Sequence, residues 1–230
     1  MTTLVLLPGL DGTGQLFEPL CAVLPAHWRT QVHAYPMDAR AGYEALTQRA
    51  AAALPEDDDL VLLGESFSGP VAMALAATLG ERLRALILCC TFARNPRPGL
   101  SGLQRLIDWL PSPAHLPAPV AARLLLGAKA PQPARRLLAN VMAQLPAAVL
   151  RARLRMVMTV DATATLASVR QPVLYLQAGQ DLIVPGASAT LIQRCCPQTT
   201  RVCIPGPHGL LQAEPVRAAQ AMTSFLGTLR

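Results

Sequence analysis

Short apolar runs recur along the chain, and each gives way to small residues and then to a helical pattern. Residues 3–7, Thr30–Tyr35, Leu60–Leu63, Arg84–Cys90, Val173–Gln177 and Arg201–Ile204 read as strands, most of them buried. Between them lie helical stretches at about Gln15–Leu24, Tyr43–Leu54, Val71–Ala77, Ala187–Cys195 and Glu214–Leu229. Strands that alternate with helices predict a parallel sheet covered on both faces, the α/β class.

The alternation breaks once. Prolines 96, 98, 111, 113, 117, 119, 131 and 133 cut residues 93–135 into short pieces. Helical patterns at Gly102–Leu110, Val120–Leu126, Pro133–Gln144 and Ala147–Val157 fill the region, with no strand signal. Residues 93–165 are therefore expected to form a helical lid inserted in a core made of 1–92 and 166–230.

Composition narrows the reading. The 230 residues suit one domain with an insertion, 52% are hydrophobic, and 15% are charged. No apolar run approaches about 18 residues, so no membrane span is expected. The opening residues read as a first strand, not a signal peptide, which predicts a cytoplasmic protein. The six cysteines, 21, 89, 90, 195, 196 and 203, form no C-x-x-C and include two adjacent pairs, so reduced thiols are expected rather than disulfides or a zinc site. The net charge of +6 is uneven. Residues 93–170 hold eleven basic side chains and two acids, a net of +9, against −3 for the remainder. Such a segment fits either an anionic partner or a solvated arginine face. Without aromatic interleaving, nucleic acid is not the expected partner.

Candidate chemistry sits at the strand ends. Gly64-Glu65-Ser66-Phe67-Ser68-Gly69 places a serine between an apolar strand and an alanine-rich helix, the setting of a nucleophile elbow, with Ser68 where a second glycine is usual. The bland alternative is a βα turn with a serine cap. The first strand leads into Pro8-Gly9-Leu10-Asp11-Gly12-Thr13-Gly14, a loop that could cradle phosphate or aim amides at a developing negative charge. It lacks both glycine-rich nucleotide motifs. Two later strands lead into Gly179-Gln180-Asp181 and Pro207-His208-Gly209. A serine, an acid and a histidine thus appear in that order at one sheet edge, with Asp161 as a competitor for the acid.

On these four motifs the chain resembles the α/β-hydrolase family, and within it the small bacterial esterases whose first strand ends in L-P-G-L-D-G-T-G. The resemblance covers nearly the whole chain. It implies a trimmed sheet of six parallel strands, with Ser66 as nucleophile, His208 as base, Asp181 as its orienting acid, and the amides of Leu10 and Phe67 as the oxyanion hole. Pro8 stands where many members carry histidine. Trp109, His115, Leu124, Met142, Met156 and Met158 are candidates for an acyl pocket, with packing inside the lid as the alternative. The implied activity is hydrolysis of an apolar acyl ester, with no metal or organic cofactor. Some members demethylate a pimeloyl ester carried on acyl carrier protein for biotin synthesis; Arg123, Arg135, Arg136, Arg151 and Arg155 are candidates for holding that acidic carrier. An acyltransferase of the same fold and a non-catalytic binding protein remain alternatives.

Overall fold

The computed structural model describes residues 3–56, 59–99 and 117–229. Six strands form one sheet: β1 (Thr3–Leu7), β2 (Arg29–Val32), β3 (Leu60–Glu65), β4 (Leu83–Cys89), β5 (Val173–Ala178) and β6 (Thr199–Ile204). Their order is β2-β1-β3-β4-β5-β6, and all the pairings are parallel. The ten α-helices among the described residues are α1 (Glu18–Cys21), α2 (Tyr43–Ala52), α3 (Gly69–Leu79), α4 (Ala118–Leu126), α5 (Gln132–Ala143), α6 (Ala147–Thr159), α7 (Thr163–Ser168), α8 (Gly186–Cys195), α9 (Leu210–Ala213) and α10 (Pro215–Thr228).

The strand pleat divides the core in two. Val5 and Leu7 of β1 and Leu60 and Leu62 of β3 join α2, α3, α7 and α8 on one face. Leu4, Leu6, Val61 and Leu63 point the other way, onto α1, α9 and α10. Both faces are dry, which is why the central strands read as unbroken apolar runs. The edge strand β2 is largely exposed. A smaller cluster, Ala122 and Leu126 of α4 with Ala134 and Leu138 of α5, closes over Leu16.

Several boundaries differ from expectation. The helix expected at 15–24 is a 3-10 turn, Gln15–Phe17, followed by the short α1. Strand β2 stops at Val32, because the chain then turns toward the loop after β1: the His33 amide donates to Leu6 O at 2.9 Å and that of Tyr35 to Gly12 O at 2.8 Å. Helix α7 was not foreseen. It is six residues long, too short to set up a period, and Leu166 fixes it in the core beside α3. The expected lid boundary at residue 165 falls inside it. The two stems of the helical segment are joined by an antiparallel bridge between Arg94 and Asp161 and by Ala162 N to Ala93 O at 2.7 Å. The helix expected at 102–110 lies outside the described residues.

Candidate active site

Strands β1 and β3 are neighbours, yet the chain leaves β1 toward β2 before returning to β3. The loops after β1 and β3 therefore open at the point where strand order reverses, the usual place for a ligand in an open parallel sheet. Ser66 follows β3 directly and has φ +46°, a backbone state that side chains other than glycine seldom adopt. The turn is held from several sides. Thr91 Oγ1 donates to Ser66 O, and Tyr43 Oη donates to Phe67 O at 3.1 Å. A Cβ on Gly64 would stand 2.7 Å from that of Ala72 and 2.9 Å from Ser68 O, so the strand and helix can approach only with glycine there.

The three loops expected to meet do meet. Ser66 Oγ lies 2.9 Å from His208 Nε2, and His208 Nδ1 lies 2.8 Å from Asp181 Oδ2. The imidazole and carboxylate are about 7% and 6% exposed, so water competes little for their bond. Asp181 Oδ1 accepts the amides of Ile183 and Val184, both at 2.8 Å. One carboxylate oxygen thus fixes its own loop and the other fixes the histidine. With the Nδ1 proton directed at Asp181, the Nε2 lone pair faces the serine. Asp161 is elsewhere: its carboxylate accepts Thr163 N at 3.0 Å and Thr163 Oγ1 at 2.6 Å, and these bonds hold it below the usual carboxylate range.

A cavity of about 330 Å³ opens over the serine. Its walls include Leu124 to Leu126, Leu138, Met142, Leu150, Leu154 and Val157 from α4–α6, with Ser66, Phe67, Leu10 and His208 at its floor. Leu124 and Met142 were expected there. Met156 and Met158 are not among the lining residues. The face of α6 toward the cavity is set by Leu150, Leu154 and Val157, spaced i, i+4 and i+7, and the methionines fall on either side of it. Met156 packs against the main core instead. Trp109 and His115 lie outside the described residues. Cys89 and Cys90 are buried among the strands and do not line the cavity. The leucines of α4–α6 carried a helical spacing that would have identified them.

Two polar residues at the cavity were not foreseen as part of it. Burial pushes the Glu65 carboxyl up to about 7, with Gln212 donating to it at 3.0 Å and Asp11 adding repulsion. Gln212 also donates to Leu16 O at 3.1 Å. Of the five arginines expected to face a partner, Arg123, Arg135 and Arg136 are exposed, and Arg151 and Arg155 are half-buried. Arg135 donates to the carbonyls of Ala128 and Ala130, at 2.5 and 3.1 Å. Among the described residues no three His, Cys, Asp or Glu side chains cluster as metal ligands would, and no helix is long and apolar enough to cross a membrane.

Known proteins resemble the chain to differing degrees. The chain is 29% identical, over 98% of its length and 94% of the relative's, to a pimeloyl-[acyl-carrier protein] methyl ester esterase of Salmonella typhi. It is 28% identical over 54% of its length to phytyl ester synthase 1 of Arabidopsis thaliana, where the match spans only 19% of that longer protein. Among solved structures, a bromoperoxidase from Bacillus anthracis superposes with a TM-score of 0.82 at 17% identity, over 98% of this chain and 92% of that one. An enol-lactonase from Burkholderia xenovorans LB400 gives 0.77 at 17% identity, over 98% and 91%. These two establish the fold alone. The profile of the family described as "Serine aminopeptidase, S33" matches residues 25–214. With its six-stranded parallel sheet and its match to that profile over most of its length, the chain belongs to this family of α/β-hydrolases.

Proposed function

We propose that the protein is a serine carboxylester hydrolase that accepts an apolar acyl group under helices α4–α6. The observation that carries this reading is the hydrogen-bonded chain Ser66–His208–Asp181 at the floor of a leucine-lined cavity. A serine hydroxyl is a weak nucleophile at neutral pH and needs a base in contact. His208 Nε2 takes the Ser66 proton as Oγ attacks the ester carbonyl carbon. Asp181 keeps the imidazole in the required tautomer and stabilises its charged form. The amides of Leu10 and Phe67 receive the oxyanion. His208 then returns the proton to the departing alcohol, leaving an acyl-enzyme, and the same base activates water to release the acid. Labelling by a fluorophosphonate probe tests the nucleophile: the wild type should react and Ser66→Ala should not. Labelling that persists in the variant would remove Ser66 from the role, and an unreactive wild type would favour a binding protein. Product partition between water and an added alcohol separates hydrolysis from acyl transfer.

A carrier-linked methyl ester, such as that of pimeloyl-acyl carrier protein, is the more specific substrate. Similarity over nearly the full length to an esterase of that name favours it, as do the exposed Arg123, Arg135 and Arg136 on α4 and α5. An acidic carrier drawn by these charges would be screened by salt. Activity on the carrier-linked ester should fall steeply with ionic strength, while that on p-nitrophenyl butyrate should not. Equal responses would discard the carrier.

A further inference from the structure

Arg153 is the one arginine among the described residues whose side chain is nearly sealed from water, at 3% exposure. It projects from α6, yet its partners lie in the core. Nη1 donates to Leu10 O at 2.9 Å and to Asp11 O at 2.6 Å, and Nη2 donates to Pro36 O at 3.1 Å. The guanidinium carbon also stands 5.9 Å from the ring centres of both Tyr35 and Phe67. Gly12 is shaped around it. A Cβ at that position would come within 2.4 Å of Nη1, and φ there is +70°.

We propose that Arg153 is a positioning residue for the oxyanion loop, through which helix α6 sets the orientation of the Leu10 amide. The proposal rests on the reading of Ser66 and Leu10 given above. Each carbonyl from residue 8 to residue 12 has a partner. Pro8 O accepts from Ser68 Oγ, Gly9 O from Gly12 N at 3.1 Å, and Gly12 O from Tyr35 N at 2.8 Å. Those of Leu10 and Asp11 accept from Arg153. A peptide plane held at its oxygen cannot rotate, so the loop keeps its amides aimed. Without the guanidinium, the planes joining Leu10 to Asp11 and Asp11 to Gly12 lose their partner, and the plane that carries the Leu10 amide is left held only by the bond from Gly12 N to Gly9 O, in a loop whose Gly12 and Gly14 both have positive φ. The same helix presents Leu150, Leu154 and Val157 to the cavity. One helix therefore both lines the cavity and holds the oxyanion loop.

Arg153→Met and Arg153→Lys test this on p-nitrophenyl esters, alongside a trifluoromethyl ketone that forms an oxyanion adduct on the serine and the matching alcohol that forms none. A misaimed oxyanion donor should lower kcat of the Met variant by about 10–100-fold with KM little changed. Affinity for the trifluoromethyl ketone should fall by a similar factor, affinity for the alcohol should hold, and Lys should recover part of the loss. Unchanged kcat in a folded variant, or equal weakening of ketone and alcohol, would overturn the proposal. If the Met variant does not fold, the Lys variant decides: its ammonium keeps the charge but cannot reproduce the planar fork, so kcat must still fall. A wild type that a fluorophosphonate does not label would defeat the site assignment itself, whereas a labelled wild type with fully active variants would defeat only the role of Arg153.

Discussion

Ser68 donates its hydroxyl proton to the backbone carbonyl of Pro8, joining the elbow to the loop after β1. The Tyr35 hydroxyl completes the link, 2.7 Å from Ser68 Oγ. In sequence, Ser68 looks like a flaw in the glycine pattern and Pro8 like a missing histidine; in the structure the two are partners. Ser68 is fully buried, so Ser68→Ala leaves a carbonyl and a phenol unpaired. The expected cost is about 1–3 kcal/mol of stability, read by urea unfolding. Because the bond ties the turn of Ser66 to the loop that carries Leu10, kcat should fall as well. Tyr35→Phe breaks the same network, so the double variant should lose less than the sum of the singles.

Asp181→Asn keeps the Oδ1 that accepts the Ile183 and Val184 amides, so the loop should stay folded. An amide nitrogen in place of Oδ2 cannot accept the Nδ1 proton of His208. The imidazole then favours the wrong tautomer, and kcat should drop by about 10³–10⁴-fold. Asp161→Asn serves as the control, since that side chain bonds only to Thr163 among the partners described. It should leave kcat within about twofold of the wild type. Steady-state kinetics on one small ester compares the two.

The fold was legible because its signals are local. An apolar run such as Leu60–Leu63 can be a strand only if both sheet faces are covered, and the helices between runs supply that cover. Ser66, Asp181 and His208 were legible for the same reason: each lies within four residues of a strand's C-terminal end, so topology brings them to one edge. What sequence could not supply is which distant residues a helix far from the sheet would meet. Arg153 lies two residues from Arg151 and from Arg155, so helical phase turns it away from both, and it is buried while they stay half-exposed. The partners that bury it, Leu10, Asp11 and Pro36, lie more than a hundred residues away. Methionines 156 and 158 misled for a different reason: their chemistry suggested a pocket, whereas helical phase assigns it to Leu150, Leu154 and Val157.

Leu154 offers a handle on chain-length selection. It is half-buried on α6 and lines the cavity together with Leu138 and Met142. Leu154→Trp takes up part of a space of about 330 Å³ and leaves the Ser66–His208–Asp181 side chains unchanged in identity. Activity on p-nitrophenyl acetate should persist, while kcat/KM for decanoate and longer esters should fall by about tenfold or more, the discrimination expected when a few methylenes lose their place. A uniform loss across the chain-length series would mean that the acyl group lies elsewhere.

Glu65 should make stability depend on pH in an unusual direction. Its carboxyl is raised from 4.5 to about 7 by burial, so the folded protein holds a proton that the unfolded chain has already released between those values. Stability contributed by this group is therefore intact below about pH 4.5, falls as pH rises toward 7, and levels off above. A shift of this size corresponds to about 3 kcal/mol. Glu65→Gln retains an oxygen for the Gln212 amide and cannot ionise. Urea unfolding of wild type and variant at pH 4.5, 6 and 8 isolates the group, since other titrations cancel in the difference. The variant should gain on the wild type from pH 4.5 to about 7 and hold that gain at pH 8. A difference that stays constant over that range would mean that Glu65 is already ionised in the folded protein at low pH, stabilised by its neighbours in spite of its burial.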